Sequence, residues 1–201
     1  MTLIEFPLLF LVPLLPLIGA VYSGLFGLKL QRRWGEKVIH IPTVTLPWLS
    51  FVVVLVGFLK LAGSEHEHPG ALYQRLWTWF DVGQFKIEVA YVFDRLSAVM
   101  CLVVTFVGSL IHLYSVGYMK DDPSYFRFFS YLNLFLFSML TLVLADNLIL
   151  LFVGWEGVGL CSYLLISFWY TDVEKAKAGM KAFIVNRVGD AGFVVGTALL
   201  F

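Results

Sequence analysis

The sequence predicts an all-α polytopic membrane protein. About six transmembrane helices are expected, with a short outer-surface β-hairpin between helices 2 and 3. Three observations carry this. Of the 201 residues, 60 % are hydrophobic and only 14 % charged, against roughly 25 % charged in soluble domains. Six apolar runs of 18 residues or more follow one another, each long enough to span a bilayer. The tail of the longest loop then switches to a two-residue alternation, the period of a strand.

The runs lie at about residues 3–28, 41–62, 96–118, 128–145, 148–169 and 180–201, and residues 1–201 read as one transmembrane domain. The first carries an acidic Glu5 where a signal peptide would have a basic flank, and is too long for a signal-peptide core, so it is expected to span. Pro13 and Pro16 in it, and Pro47 in the second, remove backbone bonds that a packed bundle can replace. In the second loop, Leu76–Phe80 and Gln84–Tyr91 read as two strands joined by a turn at Asp81-Val82-Gly83. Glu65-His66-Glu67-His68 admits a metal site, but a solvated loop is the simpler reading. Asp94-Arg95 opens the third helix as a cap or interface anchor. The sixth run is still apolar at Phe201, which suggests the front part of a longer subunit.

The basic residues set the topology. Nine of them (Lys29, Arg32, Arg33, Lys37, Lys120, Arg127, Lys175, Lys177 and Lys181) fall on the side of loops one, three and five, against four on the other, Lys60, Arg75, Lys86 and Arg95. The positive-inside rule then puts the N-terminus outside. Zero formal net charge argues against nucleic acid as a partner. Cys101 and Cys161 lack any metal-ligand or disulfide spacing.

Against this apolar background the polar residues are conspicuous. Glu156 lies eight residues into the fifth run, roughly 12 Å below the surface. A carboxylate there costs several kcal/mol unless paired, hydrated or protonated. Tyr163 and Ser167 fall within about 20° of its direction on a helix and are candidate proton relays. Gly154, Gly157 and Cys161 form a separate small-residue face suited to close packing. In the sixth run Asn186, Arg187 and Asp190 form i,i+3 and i,i+4 pairs. Arg187 and Asp190 either neutralise each other or set the field around Glu156, if the two helices adjoin. Ala178, Ala182, Gly189, Gly192 and Gly196 line a neighbouring face open to another backbone. In the third run Thr105, Ser109 and His112 share a face. His112 is a further candidate relay, or a hydrogen-bonded structural residue.

Gly154-Trp155-Glu156-Gly157-Val158-Gly159-Leu160 with Ser162–Ile166 resembles the antiporter-like subunit L, chain 5 in mitochondria, of respiratory complex I, the proton-pumping NADH:quinone oxidoreductase. Lys181–Asp190, His112–Met119 and Pro13–Ala20 resemble further signatures of that family, in the same order along almost the whole chain. The resemblance implies that Glu156 is the essential intramembrane glutamate, paired with a lysine on a later helix. It implies that Arg187 and Asp190 support that pair. It also implies that this chain holds no cofactor, with NADH, FMN, iron–sulfur clusters and quinone in partner subunits. The partners are then other complex I membrane subunits, the lipid bilayer and protons. The implied location is a bacterial inner membrane rather than a mitochondrial one. Family members are about three times as long, and none of the lysines here lies deep in a helix. Two other readings stay open: a cation/proton antiporter of the same ancestry, and a non-catalytic scaffold.

Overall fold

The computed structural model describes residues 2–63, 70–83 and 85–200. A short strand β1 (Thr2–Glu5) precedes a first span of α1 (Leu11–Val21), a π-helical turn (Tyr22–Phe26) and α2 (Gly27–Trp34). Then follow α3 (Lys37–Gly63), strands β2 (Gly70–Val82) and β3 (Phe85–Phe93), α4 (Arg95–Tyr118), α5 (Tyr125–Leu144), α6 (Leu148–Ile166) and α7 (Val173–Ala198). Among the described residues, five helices are long and apolar enough to cross a membrane: Leu11–Trp34, α3, α4, α5 and α6. The 26-residue α7 has the length as well, but Lys181, Arg187 and Asp190 interrupt its apolar stretch.

The hairpin forms, with β2 and β3 antiparallel, but its first strand is longer than expected: it begins at Gly70, and Asp81 and Val82 pair within the ladder, leaving Gly83 at φ 62° in the turn. That left-handed conformation suits glycine, which has no Cβ to clash. Arg75 pairs with Glu88 across the strands at 3.1 Å, and Lys86 pairs with the same carboxylate along β3 at 3.0 Å. The Glu65–His68 segment lies outside the described residues.

The first predicted helix is corrected at its start. Residues from Leu3 were expected to be helical, yet β1 adds to β2 in parallel, Thr2 opposite Gly70 through Glu5 opposite Tyr73. Phe6 and Leu9 then turn into the core. The turn is clamped by Gln74, whose Oε1 accepts from Phe10 N–H at 2.8 Å while its Nε2 donates to the Pro7 carbonyl at 3.0 Å. Sheet pairing satisfies backbone groups that a helix would otherwise have used, so the helix begins only at Leu11.

Three prolines inside helices each free a carbonyl, and a side chain answers each one. Pro16 cannot bond the Val12 carbonyl, which accepts instead from Ser50 Oγ of α3 at 2.6 Å. Pro42 frees Val38, which accepts from Tyr22 Oη at 3.1 Å. Pro47 frees Thr43, which accepts from Asn133 Nδ2 of α5 at 3.2 Å. These bonds lock the first span, α3 and α5 in register, as polar contacts do between helices in lipid.

The ends of the bundle are distinct. At one end β1, the hairpin and the α5–α6 turn meet: Asp146 N–H donates to the Ala90 carbonyl at 3.2 Å and Asn147 Nδ2 to the Glu88 carbonyl at 2.8 Å. Asp94 caps α4 here, exchanging bonds with Ser97 in a capping box. At the other end the three basic loops meet. Gln31 Oε1 accepts from Phe126 N–H at 3.1 Å, Glu36 Oε1 from Asp121 N–H at 3.0 Å, and Asp122 Oδ2 from Trp169 Nε1 at 3.1 Å. The N-terminus and the hairpin therefore share one end, and loops one, three and five share the opposite one.

Candidate functional site

Helix α6 is positioned from its first residue. Asn147 caps it, its Oδ1 accepting from Leu150 N–H at 2.9 Å. The small-residue face then lies directly on α5. A Cβ added to Gly154 would stand 2.5 Å from Leu142 N, and one added to Gly157 would stand 2.5 Å from Ser138 Oγ. Such contact fixes the rotation of α6 and turns Glu156 away from α5, towards α7.

The antiparallel α7 meets it there. Phe152 stacks on Phe193 at 5.3 Å, and Tyr163 packs tilted against Phe183 at 5.4 Å, above and below the charges. Between them Arg187 Nη1 donates to Glu156 Oε2. Arg187 also stands 3.6 Å from Asp190 Oδ2 and lies over the Phe183 ring at 4.4 Å. Asp190 is buried, 7 % exposed, and its Oδ1 accepts from Trp155 Nε1 at 2.7 Å. The result is a chain of four: Glu156, Arg187, Asp190, Trp155. A cavity of about 330 Å³ opens beside it, lined in part by Trp155, Ser162, Asn186 and Asp190.

Several expectations are corrected by this geometry. Asn186 does not bond Asp190; it is exposed, and the buried carboxylate takes the indole N–H from α6 instead. Of the two readings left open for Arg187, the helices adjoin and it reaches across to Glu156, so among the described residues an arginine is the cation beside that carboxylate. Ser167 lies past the end of α6, which stops at Ile166, and its Oγ donates back to the Tyr163 carbonyl at 2.6 Å. Tyr163, the other candidate relay, packs on Phe183 of α7. The open face of α7 is as expected: added Cβ atoms on Gly189, Gly192 and Gly196 meet nothing within 4 Å.

His112 stands apart from this cluster. It is buried on α4, its Nδ1 2.7 Å from the Gly108 carbonyl, while Nε2 has no partner among the described residues. Thr105, Ser109 and Ser115 on the same buried face each donate to the carbonyl four residues before, at 2.6 to 2.7 Å. These hydroxyl protons go to carbonyls of their own helix.

Comparisons with known proteins place the chain in a family. A family described as "NADH-Ubiquinone oxidoreductase (complex I), chain 5 N-terminus" matches residues 79–129. One described as "NADH:quinone oxidoreductase/Mrp antiporter, TM" matches residues 145–201, the stretch that holds the whole cluster. The chain belongs to this antiporter-like family. Subunit L of NADH-quinone oxidoreductase from Escherichia coli is 46 % identical over 195 residues, 96 % of this chain and 30 % of that one. The subunit L of Mycobacterium tuberculosis strain H37Rv is 47 % identical over 187 residues, 93 % of this chain and 29 % of the relative. Chain 5 of NADH-ubiquinone oxidoreductase from Dictyostelium discoideum is 44 % identical over 188 residues, 94 % of this chain and 27 % of the relative. The chain thus spans less than a third of the length of these relatives. The fold recurs in an archaeal membrane-bound sulfane sulfur reductase, with a TM-score of 0.75 at 20 % identity over 96 % of this chain and 36 % of the other. It recurs in the Mrp complex from Dietzia sp. DQ12-45-1b, with a TM-score of 0.73 at 21 % identity over 95 % and 19 %. This antiporter-like chain is therefore a membrane domain of the complex I subunit L and Mrp type.

Proposed function

We propose that the chain forms a proton-translocating part of an NADH:quinone oxidoreductase, with Glu156 as the group that takes up and releases the proton. The observation that carries this is the charge count of the cluster. Arginine keeps its charge at any accessible pH. Glu156, Asp190 and Arg187 together hold two carboxyls against one permanent cation. With both carboxylates ionised the cluster is an anion, and a single proton brings it to neutrality. Movement of the Arg187 guanidinium, or the approach of the lysine implied by the family resemblance, would release or hold the proton.

The chain itself supplies binding and timing of the proton, not redox chemistry. NADH oxidation and quinone reduction belong to partner subunits with FMN and iron–sulfur clusters, and other membrane subunits of the complex are the direct neighbours. The location is a bacterial inner membrane, with the N-terminus and hairpin outside and the basic loops inside. Replacing Glu156 by Gln keeps the shape and removes the titration. NADH-driven proton translocation in membrane vesicles should fall sharply, while assembly, followed by native electrophoresis, is retained. Full pumping in that variant would rule out the role of Glu156.

A second reading follows from the likeness to the Mrp complex: exchange of a monovalent cation for protons without electron transfer. The higher identity to subunit L favours the oxidoreductase. Sodium–proton exchange by purified material lacking flavin and iron–sulfur absorbance would reverse that preference.

A further inference from the structure

We infer that Trp155 is a positioning residue of the charged cluster: its indole N–H holds Asp190 and thereby leaves Arg187 to Glu156. The inference rests on the reading of Glu156 given above. Asp190 is 7 % exposed, and a buried carboxylate needs donors. Among the described residues the side chain that hydrogen-bonds it is Trp155, at 2.7 Å, whereas Arg187 stands 3.6 Å away, beyond a good hydrogen bond. Arg187 bonds Glu156 instead. The indole thus does for Asp190 what the guanidinium would otherwise be drawn to do.

Its other features suit that task. Trp155 is half exposed, at 50 %, so its ring is not a core-filling group and its polar tip is the buried contact. It adjoins Glu156 in sequence but bonds a different partner on α7, so the two bonds tie α6 to α7 at Arg187 and, one turn on, at Asp190. Without the N–H, Asp190 would be a buried anion with no hydrogen bond. A closure of less than about 1 Å would bring Arg187 to it and weaken the pair with Glu156.

The test uses the native membrane complex in vesicles, with rates normalised to assembled complex. Trp155→Phe keeps the ring and removes the donor. Trp155→His places Nε2–H where the indole Nε1–H stood. NADH-driven proton translocation should fall roughly tenfold in Trp155→Phe, and Trp155→His should keep most of it. In an Asp190→Asn background, Trp155→Phe should bring no further loss, because no anion remains to draw Arg187. Full rate in Trp155→Phe, equal loss in the Phe and His variants, or a further loss in the Asp190→Asn background would each overturn the inference. Should Trp155→Phe assemble poorly, Trp155→His decides alone: a loss there as large as that of Asp190→Asn overturns it. Glu156→Gln is measured alongside. Normal pumping in that variant defeats the parent reading; loss there with full activity in Trp155→Phe defeats only this one.

Discussion

Glu156, Arg187 and Asp190 are not equivalent members of their cluster. Glu156→Gln leaves Arg187 with Asp190 3.6 Å away, so no charge is stranded. Arg187→Gln leaves two carboxylates without their cation, one of them buried, which is the more disruptive change. Assembly of the complex should therefore survive Glu156→Gln and fail in Arg187→Gln, as native electrophoresis would show. Equal assembly of the two would mean the guanidinium is not what neutralises the cluster. A charge swap of Arg187 and Asp190 that restores both assembly and pumping would instead favour the scaffold reading. All three charged residues were legible in the sequence, because a charge in an apolar run stands out. Trp155 was not. Helical spacing ranks neighbours on one helix, and the partner of Asp190 comes from another.

At the level of elements, the α5–α6 contact aims Glu156. Gly154 touches the Leu142 backbone, whereas a Cβ on Gly159 would meet nothing within 4 Å. Gly154→Ala should force the helices apart at a cost of about 1–3 kcal/mol and lower pumping with stability. Gly159→Ala should change neither. Thermal unfolding in detergent of the two variants separates them, and similar midpoints would refute the close-packing account. The small-residue pattern was readable as spacing alone, since glycine every three or four residues in an apolar helix permits close approach. Which helix makes the approach was not. The prolines behave similarly: their missing bonds are implied by residue type, while the donors Ser50, Tyr22 and Asn133 are known only once the helices are placed.

Across the whole molecule, the hairpin joins the N-terminus to the start of α6. Glu88, Lys86, Asp146 and Asn147 line a cavity of about 280 Å³ between them. Burial against the hairpin, and then the nearby Glu88 carboxylate, raise the Asp146 carboxyl above its ordinary 3.8. A carboxyl whose proton is held more tightly in the folded state stabilises the docked hairpin at low pH. That contribution is lost as pH climbs from 3.8 through the raised value. Asp146→Asn, which cannot ionise, should protect the Ala90–Asp146 contact better at neutral pH and remove its pH dependence. The gain should be at most about 1 kcal/mol, because the group is partly exposed and screened. Hydrogen exchange at Asp146 N–H reads this directly, and an unchanged pH profile would contradict it.

Length, hydropathy and residue type determined the membrane class, the hairpin, the alternation of basic loops and the charged residues within the apolar runs. These are properties of one segment at a time, set by the cost of placing a group in lipid. Only the tertiary structure decided that β1 rather than helix follows the N-terminus, that Ser167 falls beyond α6, and that Glu156 faces Arg187 across a helix interface. Each depends on a partner distant in sequence, and pairing free energy between distant segments leaves no periodicity in either segment alone.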